Sequence, residues 1–360
     1  MPIDRALTPH GRSFCFFKWR RFLMRAAIFM GLLAIAGLAP VSAHGAVPDP
    51  SRATSDIRDM DAVVVTGVRP GPGMWRVSKG DHVLWVLGVQ SPLSKKMEWV
   101  SRDVESVLAQ TQEVIWGPAM DVQVKAGFFE GAMLLPRLLG VRKNPDGQSL
   151  QDVVPADMYR HWLSLKAKYI GSDGGVEQWR PIFAAAKLWD EAIDDSGLTA
   201  SSVVSPVIKR AAKQHAFKQT HPQSYFVITD ATAALKEFKA APLADLDCFG
   251  KTMQRLDTDL DAMRLRANAW AVGDLEALRA LPYSDQHEAC ARAMMQAGVV
   301  RKRLDRDLDA ELALRWLEAV EKALTENAVT FAMLPIGEAL KPDGYLAKLQ
   351  AKGYVIQAPQ

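Results

Sequence analysis

Met74–Leu93, MWRVSKGDHVLWVLGVQSPL, decides the fold. Side chains alternate through Trp75-Arg76-Val77, Lys79-Gly80-Asp81 supplies a turn, and Val83-Leu84-Trp85-Val86-Leu87 follows as an almost unbroken apolar run. This pattern predicts a β-hairpin whose second strand is largely buried. Gly88 ends that strand and opens a tight turn able to present side chains at a sheet edge. The far end of the chain returns to the same grammar. Val329–Leu334 is strongly β-prone, Pro342–Ala351 reads as a helix and Gly353–Ile356 as a last strand. A hairpin at the start and β–α–β at the end predict one α/β domain, an α+β mixed sheet, spanning 74–357.

Between these ends the periodicity is helical, which predicts a large helical insert over about 150–325. Met97–Gln110 carries a one-sided stripe at Met97, Val100, Val104, Val107 and Leu108, and Val114-Ile115-Trp116 is a short strand stopped by Gly117-Pro118. Further helices are expected over 157–170, 178–193, 201–215, 230–238, 243–265, 275–281, 285–298 and 301–327, with one strand at Tyr225–Thr229 interrupting them.

The first 43 residues belong to another class. Lys18, Arg20, Arg21 and Arg25 precede an apolar run from Ala26 to Leu38, and Val41-Ser42-Ala43 offers small residues for cleavage. That is a secretory signal peptide, cut after Ala43, and Met24-Arg25 is its more natural start. The apolar run falls short of the ~20 residues a spanning helix needs, so no stable membrane insertion is expected after cleavage. Residues 44–73, rich in Pro, Gly, Asp and Ser, read as a linker or extended arm. Six of the 44 basic residues but one of the 41 acidic ones lie in the leader, leaving 38 against 40 beyond it. No basic, aromatic-interleaved face remains, which argues against a nucleic-acid partner. The exported body, periplasmic or secreted, holds two cysteines, Cys248 and Cys290, and an even pair in an oxidising compartment reads as a disulfide.

These segments together resemble the TraB/GumN family, relatives of the Tiki metalloproteases. The resemblance covers roughly residues 74–357 and is carried by four places. Where the family has Gly-x-x-His after its first strand, this chain has Gly88-Val89-Gln90-Ser91, so Ser91 stands at the histidine. Where relatives end a strand on a glutamate, Glu113-Val114-Ile115-Trp116-Gly117 places Gly117. The second Gly-x-x-His falls on Pro335-Ile336-Gly337-Glu338, which puts Glu338 at the other histidine. The closing helix and strand, Leu346 to Ile356, fit the family well, whereas its Arg-Asn pair ahead of a helical tryptophan is replaced by Leu312-Ala313 before Trp316. The resemblance implies a divalent-metal hydrolase fold from which the ligands have gone. One carboxylate among a hydroxyl, an amide and a glycine does not make a site that acidifies water.

The expectation is therefore a pseudoenzyme of the cell envelope, with no metal cofactor and a remnant cleft of Gln90, Ser91, Gly117 and Glu338. Its partner would be an envelope protein, a peptide or a saccharide. Two alternatives stand beside it: a metal-dependent hydrolase or peptidase with altered ligands, using Glu338 as acid/base or sole carboxylate ligand, and an accessory protein of exopolysaccharide production. The histidines are scattered, and no Gly-x-Ser-x-Gly elbow occurs.

Overall fold

The computed structural model describes residues 71–125, 140–240, 245–281, 289–291, 293 and 307–359. β1 (Met74–Lys79) and β2 (His82–Val89) pair antiparallel from Met74↔Leu87 to Lys79↔His82. Gly80 turns the chain at φ +66°, a left-handed conformation costing a residue with a side chain roughly 1–2 kcal/mol. The chain continues through β3 (Leu93–Ser94), α1 (Arg102–Leu108), β4 (Glu113–Ile115), β5 (Ala119–Val124), α2 (Leu150–Val153), α3 (Ala156–Tyr169), α4 (Pro181–Asp195) and β6 (Leu198–Thr199). Next come α5 (Val204–Gln214), β7 (Lys218–Thr220), β8 (Gln223–Ile228), α6 (Ala231–Ala240), α7 (Leu246–Thr258), α8 (Leu260–Val272) and α9 (Leu275–Ala280). After these follow α10 (Leu308–Glu326), β9 (Val329–Pro335), α11 (Ile336–Leu340), α12 (Tyr345–Ala351) and β10 (Val355–Gln357).

Six strands form the main sheet in the order β10-β1-β2-β9-β4-β7. β2, β9, β4 and β7 run parallel, so their carboxyl ends share one edge, while β1 on the far side runs against them and pairs antiparallel with both β2 and the edge strand β10. Parallel strands covered on both faces read as continuous apolar runs, which is why Leu84, Val86 and Leu87 on β2 and Phe331, Ala332 and Leu334 on β9 are all fully buried. α10 lays Trp316, Leu317, Val320, Ala323 and Leu324 into the same core, and α1 and α5 add Val104, Leu108, Val207 and Ile208. Each such side chain contributes about 1.5–3 kcal/mol on burial. The chain is thus a mixed α/β fold, as its two ends predict.

The helices of the insert hold a core of their own around Trp162, Leu165, Ala185, Leu188, Phe249 and Met253, with the Trp162 and Phe249 rings 5.4 Å apart. At its margin Cys248 and Cys290 bring their sulfurs to 2.07 Å, disulfide distance. The insert is not purely helical. Lys218–Thr220 leaves it to become the edge strand β7 of the main sheet, and β8 pairs parallel with β5.

Three helix expectations change, the smallest being the closing helix, which begins at Tyr345 where the sequence predicts Pro342. The helix expected from Met97 starts at Arg102, because Leu93–Ser94 pairs with Leu198–Thr199 and the chain then sets Trp99 against Trp270, centroids 5.6 Å apart and planes tilted by 50°. The helix expected over 243–265 breaks at Asp259, whose carboxylate accepts from Arg255 Nε at 3.1 Å and Arg266 at 2.7 Å. The expected leader and arm over 1–70, most of the helix at 285–298, and the start of the one at 301–327 lie outside the described residues. Among the described residues no helix is long and apolar enough to cross a membrane.

Candidate binding site at the carboxyl edge of the sheet

The register of three neighbouring strands brings the chain to one edge three times. Gly88 on β2 stands opposite Leu334 on β9, and Ile115 on β4 stands opposite Ala332. The segments carrying Gln90-Ser91, Gly117 and Glu338 therefore all begin at the carboxyl ends of adjacent parallel strands, the usual location of sites in open α/β sheets.

Packing at this edge is dictated by small backbone clearances. A Cβ on Gly88 would lie 2.3 Å from Ile336 Cδ1 and 3.0 Å from the Trp75 ring, so any side chain there would displace Ile336. The Gly88 carbonyl accepts a 2.7 Å hydrogen bond from the buried Trp270 Nε1, which ties helix α8 to the end of β2. Gln90 is buried, and its amide Nε2 donates to the Ser91 carbonyl at 3.1 Å. Ser91 is exposed and joined to Pro92 by a cis peptide bond. A Cβ built on Gly117 meets only the Met333 carbonyl, at 3.5 Å.

Glu338 lies on the short helix α11, and its carboxylate accepts from Lys341 Nζ at 2.6 Å. That bond, reinforced by the nearby Asp343 and Asp309 carboxylates, raises the Lys341 pKa and keeps the ammonium charged. Gly344 closes the turn beneath: a Cβ there would sit 2.4 Å from the Glu338 carbonyl. Tyr345, the first residue of α12, is pushed up to about 12 by burial and then by the Glu338 and Asp309 charges, so its phenol stays protonated.

A divalent metal, which the family resemblance implies, does not fit these residues. Ser91 offers a neutral hydroxyl, Gly117 no side chain, Gln90 an amide already bonded, and Glu338 a carboxylate paired with an ammonium. Metal affinity requires deprotonated, converging donors. Among the described residues no group of three or more His, Cys, Asp or Glu is arranged to hold a metal ion.

Three residues meet at the same edge: Trp116, read from the sequence as the end of a strand, His221, one of the scattered histidines, and Gln219, which the sequence does not single out. Trp116 and His221, just past β4 and β7, stack with ring centroids 5.3 Å apart and planes at 11°. Trp116 Nε1 donates to Gln219 Oε1 at 3.3 Å, and its backbone N–H donates to the Thr220 carbonyl at 2.9 Å. Partial desolvation by its neighbours lowers the His221 pKa and so favours the neutral imidazole. Beyond this point the two segments pair again as β5 and β8, starting at Ala119↔Gln223. The signal for this cluster was a strand without apolar residues, Lys218-Gln219-Thr220, followed by His221-Pro222, which periodicity cannot detect.

A model described as the TraB/PrgY/gumN family matches residues 73–358 of the chain. No curated protein and no solved structure matches it.

Proposed function

The chain belongs to the TraB/PrgY/gumN family, and from that premise we propose that it is a non-catalytic member, exported to the cell envelope, that uses the carboxyl edge of its sheet as a binding surface. The observation that carries the proposal is that Glu338, the one carboxylate standing at a family ligand position, pairs with Lys341 at 2.6 Å and belongs to no group of three or more His, Cys, Asp or Glu able to hold a metal ion among the described residues. Ser91 and Gly117 cannot replace the imidazole and the carboxylate that a water-activating metal needs. Export is supported by the basic, apolar leader with its Val41-Ser42-Ala43 cleavage signal and by a cysteine pair at disulfide distance.

Equilibrium dialysis against zinc, manganese and cobalt, followed by metal analysis, tests the proposal. No ion should be retained at stoichiometric level. A tightly held divalent ion that is lost in Glu338→Gln would favour the alternative of a hydrolase with altered ligands. N-terminal sequencing of the exported form should begin within a few residues of His44, and retention of residues 26–38 in a membrane fraction would refute cleavage.

A further inference from the structure

Past the carboxyl edge of the main sheet, β4 and β7 continue as the parallel pair β5 and β8, and β8 ends that pair with an open strand edge. The bonds from the Ala119 N–H to the Pro222 carbonyl and from the Lys125 N–H to the Ile228 carbonyl fix the phase of the pairing. In a parallel ladder alternate residues address the neighbouring strand, so Ser224, Phe226 and Ile228 turn their backbone groups to β5. The N–H and C=O groups of Gln223, Tyr225 and Val227 point the other way and have no hydrogen-bond partner among the described residues. Native edges are shielded by charged side chains, proline or a covering element. Gln223–Ile228, QSYFVI, carries neither charge nor proline, and Tyr225 at its centre is 46% exposed.

The face beside this edge selects what lies along it. Residues in register on parallel strands share a face, so Asp121 stands next to Tyr225. Asp121 is 9% exposed, and its carboxylate accepts the Gln123 amide at 3.3 Å and meets no cation among the described residues. A carboxylate withdrawn from water without a counter-charge is costly, so the position favours an incoming cation. The Tyr225 ring, its hydroxyl tied to Gln223 Oε1 at 3.3 Å, offers a π-face on the way. A strand added outside β8 would run about 10 Å from β5, two strand spacings, a gap that a Lys or Arg side chain bridges across Tyr225. An acidic segment would be repelled, and an uncharged one would leave Asp121 unpaired. A second copy of β8 brings no cation either, since Gln223–Ile228 holds none.

We infer that the outer edge of β8 is a docking site for an extended, basic segment of a partner protein, which adds as a strand and sets a Lys or Arg against Asp121. The inference rests on the carboxyl edge being a binding surface and names the partner of its outer end. Short capped peptides of alternating Thr-Lys, Thr-Gln and Thr-Glu, each titrated into the full chain, provide the test, read by calorimetry and amide exchange. In the free chain the Tyr225 and Val227 amides should exchange freely while those of Ser224 and Phe226 are protected. The Thr-Lys peptide should bind saturably and protect Tyr225 and Val227, with Thr-Gln weaker by about tenfold and Thr-Glu without effect. Asp121→Asn should remove the advantage of Thr-Lys over Thr-Gln. Val227→Pro, which deletes an outward N–H and leaves the bonds to β5, should abolish binding. N-methylation of alternate peptide residues makes the same test on the unaltered protein: one of the two sets should abolish binding and the other leave it intact. Failure of Thr-Lys to bind, Tyr225 and Val227 amides already protected in the free chain, or Thr-Glu binding as well as Thr-Lys overturns the inference. Protection of those amides that rises with protein concentration, with a dimer in sedimentation, would give the edge to a second copy and overturn it as well. Metal retained in the dialysis experiment would refute the non-catalytic proposal without changing these exchange patterns, so the two failures are distinguishable.

Discussion

Replacing Glu113 with glutamine should destabilise the protein in a way that disappears in acid. Glu113 is 3% exposed at the amino end of β4, and its carboxylate accepts from Thr220, from Asn327 Nδ2 at 3.0 Å and from Lys218 Nζ at 3.0 Å. These bonds join β4 to the edge strand β7 and to the end of α10. Burial alone would raise the Glu113 pKa, but the bonds from Thr220, Lys218 and Asn327 together outweigh it and hold the carboxyl below its ordinary range. Hydrogen bonds to a charged group contribute about 1.5–3 kcal/mol each, and breaking a buried pair costs about 3–5 kcal/mol. Lys218 is more than half exposed, which discounts its share through solvent screening. The net expectation is a loss of about 2–3 kcal/mol for Glu113→Gln at neutral pH. A carboxyl with a depressed folded pKa stabilises fully above its unfolded value, and this stabilisation is lost as pH falls through the folded value. Urea unfolding of both proteins from pH 7 downward should therefore show a gap that is constant near neutrality and closes below about pH 4. A gap that stays constant into strong acid, or one below about 0.5 kcal/mol at pH 7, would show that Glu113 is not a charged tether.

Gly88→Ala should cost about 1–3 kcal/mol by driving a methyl group into Ile336, and Ile336→Ala in the same chain should recover part of the loss; additive costs would refute the clash. Trp270→Phe removes the donor to the Gly88 carbonyl together with half of a fully buried indole, costing about 2–4 kcal/mol. Amide exchange should then quicken at residues 88–94, and unchanged protection there would mean that the bond does not position the turn. Peptide mapping of the non-reduced, alkylated protein should recover a linked Cys248–Cys290 pair, and two alkylated thiols would exclude it. Closing 42 residues of chain is worth about 4 kcal/mol on the entropy model, so Cys248→Ser should lower the urea midpoint clearly.

What the sequence disclosed, and what it hid, follow from how each element is stabilised. The hairpin, β9 and the closing helix were legible because apolar burial writes itself into alternation or unbroken runs, as at Val83–Leu87 and Val329–Leu334. β7 was not, because Lys218-Gln219-Thr220 has no apolar residue and is held by backbone pairing to β4 and by the bonds to Glu113. The helix stripe from Met97 was a true apolar pattern put to a different use, since Met97 and Trp99 pack on the core from an extended segment. Asp259 inside a helical run gave no warning that two arginines would meet there and break it. At the edge itself, Gly117 and Glu338 were placed by resemblance, whereas Trp116 and Gln219, 103 residues apart, become neighbours only through the β4–β7 register.

The close fit of Ile336 against Gly88 separates two kinds of information held in one short motif. The glycine answers to architecture: a side chain in its place would push Ile336 out of its present packing. The residue three places later, Ser91, is exposed at the surface, where packing constrains the choice of side chain far less. A lineage can therefore shed the reacting residue by drift while selection for a folded chain preserves the letter beside it. In such sequences the surviving glycine is a record of descent and carries no news of activity. If dialysis finds no bound metal, this chain is a case in which the packing around a motif has outlasted its chemistry.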